Sequence, residues 1–215
     1  MKIYTFNGSP RKNCNTAQML RAFVEGVKSA EPTAEVEYID LYDYNYYGCK
    51  SCFACQLTNN RDHLCCQVKD DIHNILDGAF RADGLVFGSP IYFFDITAQL
   101  RAFLERLLYP GDSAKTIPSA FIYTMNANAV QMEQMDFEGA LSTSKRFVEW
   151  TFRQPPECVY AYDTFQYNDR EDLNEGFRSP AARKKARHIE QFPIDLQNAR
   201  EAGVRLVERI RAANK

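Results

Sequence analysis

The chain has 215 residues, a formal net charge of -2 at pH 7, 45% hydrophobic and 25% charged residues. That length suits one α/β domain, which can bury a sizeable core without metal or disulfide staples. The near-neutral balance gives no electrostatic case for nucleic acid as a partner, and no apolar run approaches membrane-spanning length. The opening MKIYTFNG has no signal-peptide pattern, so a cytoplasmic protein is expected, with its thiols kept reduced. Charge is uneven: residues 181–215 carry nine Lys and Arg against four Asp and Glu. We read that excess as the solvated face of a terminal helix.

In chain order, Lys2 to Phe6 is a short β-rich run ending in the turn signal NGSP. Met19, Leu20, Phe23, Val24 and Val27 then mark one face of a helix, with Asn15 or Thr16 as its N-cap. Pro32 ends that region, and residues 36–41 read as a second strand. The stretch GCKSCFACQLTNNRDHLCCQVKDD, residues 48–71, follows without periodicity and holds five of the seven cysteines. A segment of that kind inside a compact domain usually has a function or a ligand. Helix returns at Asp70 or Asp71, either of which can cap it, with Ile72, Ile75, Leu76, Ala79 and Phe80 inward.

GLVFGSP (84–90) is a nearly all-apolar strand, as expected when both sheet faces are covered. Thr97 is placed to cap a helix whose stripe is Leu100, Phe103, Leu104, Leu107 and Leu108. Residues 119–125 form a fourth strand, 131–152 a helix with Trp150, and 157–165 a fifth strand. Residues 166–194 read as a polar, irregular excursion, and 195–213 as a closing helix. Alternating strands and helices predict a doubly wound α/β fold. Its five-stranded parallel sheet has the order 2-1-3-4-5 and helices on both faces.

Ligands of such sheets bind beyond the carboxyl ends of the strands, where the strand order reverses. Here that point lies between the first and third strands. The loop after strand one, GSPRKNCNT, is suited to a phosphate. Gly8 permits a tight turn, and Ser9, Asn13, Asn15 and Thr16 offer short donors. Arg11 adds charge, and a helix N-terminus closes the loop. It matches neither the dinucleotide fingerprint nor the P-loop, which argues against ATP or GTP. The loop after strand three presents Pro90, Ile91, Tyr92, Phe93 and Phe94, a surface suited to a flat ring or to a subunit interface. Phosphate cradle and aromatic platform together point to FMN.

NGSPRKNCNTAQML with GSPIYFFDITAQLRAFLERL resembles the flavodoxin-like NAD(P)H-dependent FMN oxidoreductases. GCKSCFACQ followed by CQVKDD is similar to the iron–sulfur flavoprotein branch of that superfamily. The resemblance implies a single flavodoxin-like FMN-binding domain over 1–215, with a cysteine-rich insertion at 48–69. It implies Ser9, Arg11, Asn15 and Thr16 on the FMN phosphate, and Pro90, Ile91, Tyr92 and Phe93 around the isoalloxazine. The loop Thr124 to Asn128, with Thr124 and Asn126, would flank the ring. A homodimer or homotetramer is implied as well. The chain departs from the family at three places. Cys14 stands where Gly is common and fits only if positive φ is not required. The loop TMNANA replaces a frequent Gly pair. Ten residues separate Cys55 from Cys66.

Cys49, Cys52 and Cys55 form a C-x2-C-x2-C run, and with Cys66 they could ligate a [4Fe–4S] cluster. Zinc, a redox disulfide and free thiols are the other readings of the same residues. His63 reads as solvated and Cys158 as a buried small apolar residue. Two functions follow. One is an FMN-dependent NAD(P)H oxidoreductase: hydride passes from a transient nicotinamide to flavin N5, then electrons pass to a small-molecule acceptor such as a quinone or flavin. The other is an iron–sulfur flavoprotein that relays electrons from a donor such as ferredoxin.

Overall fold

The computed structural model describes residues 1–57, 65–108, 116–166, 175 and 181–214. Its strands are β1 (Lys2–Asn7), β2 (Glu35–Asp40), β3 (Gly84–Pro90), β4 (Ser119–Thr124) and β5 (Glu157–Ala161). All pair in parallel in the order β2-β1-β3-β4-β5, as the alternation predicts. The helices are α1 (Asn15–Ala30), α2 (His73–Arg81), α3 (Ala98–Leu108), α4 (Ala129–Gln134), α5 (Phe137–Phe152) and α6 (Ala181–Ala213). No helix among the described residues is long and apolar enough to cross a membrane.

Strand alternation divides the core between two faces. Ile3, Val86, Ala120 and Ile122 face α1 and α6. Tyr4, Phe6, Leu85, Phe87, Phe121 and Tyr123 face α2, α3 and α5. On that second face Phe6, Phe87 and Phe121 stand side by side, with ring centroids 5.4 and 5.1 Å apart. On the first face α1 and α6 cross at glycines. A Cβ on Gly26 would lie 1.8 Å from the Arg200 carbonyl oxygen, and one on Gly203 would lie 2.1 Å from that of Phe23. Only hydrogen atoms fit between the helices there.

Several boundaries differ from the sequence expectation. The α1 N-cap is Cys14, at φ -92°, and its side chain makes no capping hydrogen bond. Extended backbone accepts a cysteine at this position without strain. Neither Asp70 nor Asp71 caps α2: Asp70 pairs with Arg106, and Asp71 accepts the Asn45 N–H at 2.8 Å. The helix expected over 131–152 is two helices. Asn128 and Gln131 form a reciprocal capping box that starts α4. Asp136, left-handed at φ 51°, then accepts from the Gly139 N–H and starts α5. β5 stops at Ala161, because Asp163 turns left-handed at φ 49°. The closing helix begins at Ala181 instead of residue 195 and carries Pro193 inside it. His63 lies outside the described residues, as does most of the excursion expected before residue 181.

Candidate functional site

Strand register brings the loops after β1, β3 and β4 to one edge of the sheet. Asn7 pairs with Gly88, and Pro90 with Thr124. The β1 and β3 loops are tied directly. The Gly8 N–H donates to the Gly88 carbonyl at 2.8 Å, and Thr97 Oγ1 donates to the Gly8 carbonyl at 2.7 Å. Thr97 also accepts the Leu100 N–H at 3.4 Å, as a residue capping α3 should. Asn7, fully buried, was missed in the sequence. Its amide donates to Asp40 at 2.7 Å, and its oxygen accepts the Ser9 N–H at 3.1 Å. That pair of bonds fixes where the phosphate-type loop leaves the sheet.

Ser9, Asn15 and Thr16 are buried, and Arg11 is exposed. Arg11 Nη1 donates to the Gln166 carbonyl at 2.8 Å, and Asn15 Nδ2 to the Phe165 carbonyl, also at 2.8 Å. Thr16 Oγ1 and Thr124 Oγ1 are 2.8 Å apart and join the first loop to the β4 edge. The 16-residue helix α1 opens with no side-chain cap and no acidic residue in its first turn. Its N-terminal N–H groups and dipole therefore face the loop without a competing carboxylate. This donor set fits a phosphate.

Across the edge, Pro90 is buried and Ile91 half-buried; the Ile91 N–H reaches the Thr124 carbonyl at 2.9 Å. Tyr92 and Asp95 exchange backbone hydrogen bonds at 2.8 and 3.1 Å, which closes a two-residue reverse turn. Its central residues, Phe93 and Phe94, are left-handed at φ 49° and 72°. Turns of this shape favour Asn-Gly, and bulky residues are strained in them. The Phe93 ring is 98% exposed at the tip, while Phe94 packs edge-on against Phe137 at 4.8 Å. Asp95, paired with Arg101, anchors the base of the turn. Tyr42 stands near Tyr92 and Thr97; partial burial, with Tyr92 beside it, raises its hydroxyl pKa above the ordinary value. Nothing in the sequence around Tyr42 signals that position. Thr124 is buried and Asn126 exposed, and the Asn126 carbonyl accepts from Lys184 at 2.8 Å.

A second site lies in the cysteine segment. Cys49, Cys52, Cys55 and Cys66 all line one cavity of about 240 Å³, with Glu105 and Arg106 of α3 in its wall. Cys65 is buried in the core, and that burial pushes its thiol up to about 11. Burial also raises the Cys55 thiol, and the neighbouring Cys66, Cys49 and Cys52 add to the effect. Two α3 side chains hold the segment. Glu105 accepts the Cys49 N–H at 3.1 Å. Arg106, 2% exposed, takes the Asp70 carboxylate in a two-pronged pair and donates to the Val68 carbonyl at 3.1 Å. Its Nε has no partner among the described residues. Ser51 and Phe53, left-handed at φ 52° and 57°, alternate with the cysteines. Left-handed residues in such loops can turn backbone N–H groups into anion-binding concavities of the kind found at iron–sulfur sites.

No three of the described His, Cys, Asp and Glu residues converge on a single metal ion. A [4Fe–4S] cluster spreads its four thiolates over four irons, so four cysteines around one cavity suit it. The sequence pointed to the four thiols but not to Glu105 and Arg106, whose charges sit beside the apolar stripe of α3.

The family model for NADPH-dependent FMN reductase matches residues 1–149. An iron–sulfur flavoprotein of Methanocaldococcus jannaschii is 34% identical over 106 residues, covering 49% of this chain and 51% of the relative. Another, from Archaeoglobus fulgidus, is 37% identical over 106 residues, covering 49% and 48%. The chain spans about half the length of the curated relatives it matches. Among solved structures, an NAD(P)H:quinone oxidoreductase from Methanothermobacter marburgensis shares the fold. Its TM-score is 0.64 at 17% identity, with 96% of each chain covered.

Proposed function

The chain belongs to the NADPH-dependent FMN reductase family, and from that premise we propose that it is an FMN-dependent oxidoreductase. Its reductant would be NADH or NADPH, and its acceptor a small molecule such as a quinone or a free flavin. One observation carries the reading: an uncapped helix N-terminus with buried short donors faces the same sheet edge as a strained apolar turn. FMN, when bound there, supplies the chemistry, taking up hydride and giving up electrons. The chain's own residues bind and orient. Ser9, Arg11, Asn15, Thr16 and the first N–H groups of α1 would hold the phosphate. Pro90, Ile91, Tyr92 and Phe93 would frame the ring, flanked by Thr124 and Asn126. Tyr92 and Phe93 would also shape the approach of the acceptor, and no side chain is assigned to move a proton. Steady-state oxidation of NADH and NADPH by the purified protein, with a soluble quinone as acceptor, tests this. Turnover that is lost when FMN is stripped and returns when FMN is added back supports it, and FMN-loaded protein that oxidises neither nicotinamide opposes it.

The cysteine cavity favours a second reading, an iron–sulfur flavoprotein that relays electrons, with ferredoxin as a candidate partner. Cys49, Cys52, Cys55 and Cys66 would be the ligands. Iron and acid-labile sulfide, assayed after anaerobic purification, decide it: about four irons per chain favour the relay, and none favours direct NAD(P)H turnover. We place the protein in the cytoplasm, where such thiols stay reduced. We also propose a homodimer or homotetramer, because Phe147 and Trp150 of α5 are 47% and 67% exposed beside Leu104. Light scattering tests that.

A further inference from the structure

Three loops meet at the proposed FMN site, and one buried ion pair ties them together. Lys184, on α6, is 3% exposed. Its Nζ lies 2.7 Å from Asp163 Oδ1 and donates to the Asn126 carbonyl at 2.8 Å. Asp163, left-handed and 5% exposed, also pairs with Arg183 and lies 3.8 Å from Arg187. From this anchor the chain runs as a hydrogen-bonded belt. The Asp163 N–H reaches the Ala127 carbonyl at 2.7 Å, and the Thr164 N–H and hydroxyl reach the Met125 carbonyl at 2.9 and 3.0 Å. The next two carbonyls, of Phe165 and Gln166, accept from Asn15 and Arg11 of the phosphate-type loop.

We infer that the Asp163–Lys184 pair is a positioning device for phosphate recognition. It fixes the β4 loop and the Phe165–Gln166 carbonyls, and these orient the Asn15 and Arg11 side chains. The inference rests on the proposed FMN site. Both residues of the pair lie beyond residue 149, where the family match ends, so the device comes from this chain's carboxyl-terminal part. A left-handed non-glycine residue persists only where its surroundings hold it, and Asp163 is held by three cations and the Ala127 carbonyl. In Lys184→Met the Asp163 carboxylate keeps Arg183 and Arg187, so no buried charge is orphaned, but the bond to Asn126 is gone. Asp163→Asn keeps a residue type that tolerates the left-handed region while removing the charge.

The test compares FMN with riboflavin, which lacks the phosphate, by fluorescence titration of the flavin-free full chain. Lys184→Met and Asp163→Asn are expected to weaken FMN binding about tenfold, the loss of about one charge-assisted hydrogen bond. Riboflavin affinity should fall by clearly less than FMN affinity, since only the Asn126 flank of the ring is disturbed, and Lys184→Arg should recover part of the FMN loss. Equal losses for both flavins, or no loss for FMN, overturn the inference while leaving the FMN site intact. Failure of both variants to fold overturns it too, since the pair is then structural. A wild-type chain that binds FMN no tighter than riboflavin removes the phosphate site itself, and the inference with it.

Discussion

Replacing Phe93 by asparagine is expected to make the flavin-free protein more stable and its flavin site worse. Phe93 and Phe94 occupy the two central positions of the Tyr92–Asp95 turn, both with positive φ. An L-residue held left-handed costs about 1–2 kcal/mol, and asparagine relieves much of that with a local hydrogen bond. Burial offers no compensation, because the Phe93 ring is 98% exposed and its removal forfeits almost no buried area. Phe93→Asn should therefore gain about 1 kcal/mol, equivalent to about 2–4 °C in Tm for a chain of this size. Urea and thermal denaturation of flavin-free protein measure it. FMN retention should fall in the same variant, since strain of this kind collects at functional sites. A loss of stability would mean instead that the Phe93 ring is already buried in solution, against a second copy of the chain, and that the turn's strain is not what the substitution relieves.

Three further changes probe the scaffold. Arg106→Met removes the buried half of the pair and leaves Asp70 partly exposed, so it should cost about 1–3 kcal/mol in urea denaturation; it should also slacken the cysteine cavity, read as faster thiol labelling of Cys66. Gly26→Ala puts a methyl group 1.8 Å from the Arg200 carbonyl oxygen, so α1 and α6 must part, at about 1–3 kcal/mol or more by the same assay. For Asp163, burial works against ionisation, but hydrogen bonds from Arg183 and Lys184 win and lower its pKa to about 2 from 3.8. A depressed carboxylate stabilises the fold above its unfolded value, so this contribution should fade as pH drops from 3.8 towards about 2 and be absent in Asp163→Asn.

Periodicity made the sheet legible. The all-apolar run of β3 and the stripes of α1 and α3 needed only the alternation rule and the 3.6-residue repeat. Boundaries failed where polar contacts, not apolar burial, set the structure. The first half of α6 reads RKKARHIEQ and buries Lys184 and Phe192, so it shows no hydrophobic stripe; its inward face is held by the Asp163 ion pair. Pro193 reinforced the impression of a break. The split between α4 and α5 had a signal in Asp136, which caps α5 by accepting the Gly139 N–H, while the Asn128 and Gln131 capping box marked only the start of α4. At the site, local composition marked Ser9, Arg11, Asn15, Thr16 and the four cysteines. Residues that hold them come from distant elements: Asp163 and Lys184 at one site, Glu105 and Arg106 at the other. Sequence spacing carries no record of such contacts.

We propose above all that the edge formed by Ser9–Thr16 and Pro90–Phe94 holds FMN through its phosphate. The most direct test is the flavin content and visible spectrum of protein purified without oxygen, set beside Arg11→Ala prepared in parallel. Close to one FMN per chain is expected, with bands bleached by NAD(P)H and at least about a tenfold weaker FMN affinity in the variant. A colourless chain that takes up no added FMN, or an Arg11→Ala variant that binds FMN as tightly as wild type, would contradict it.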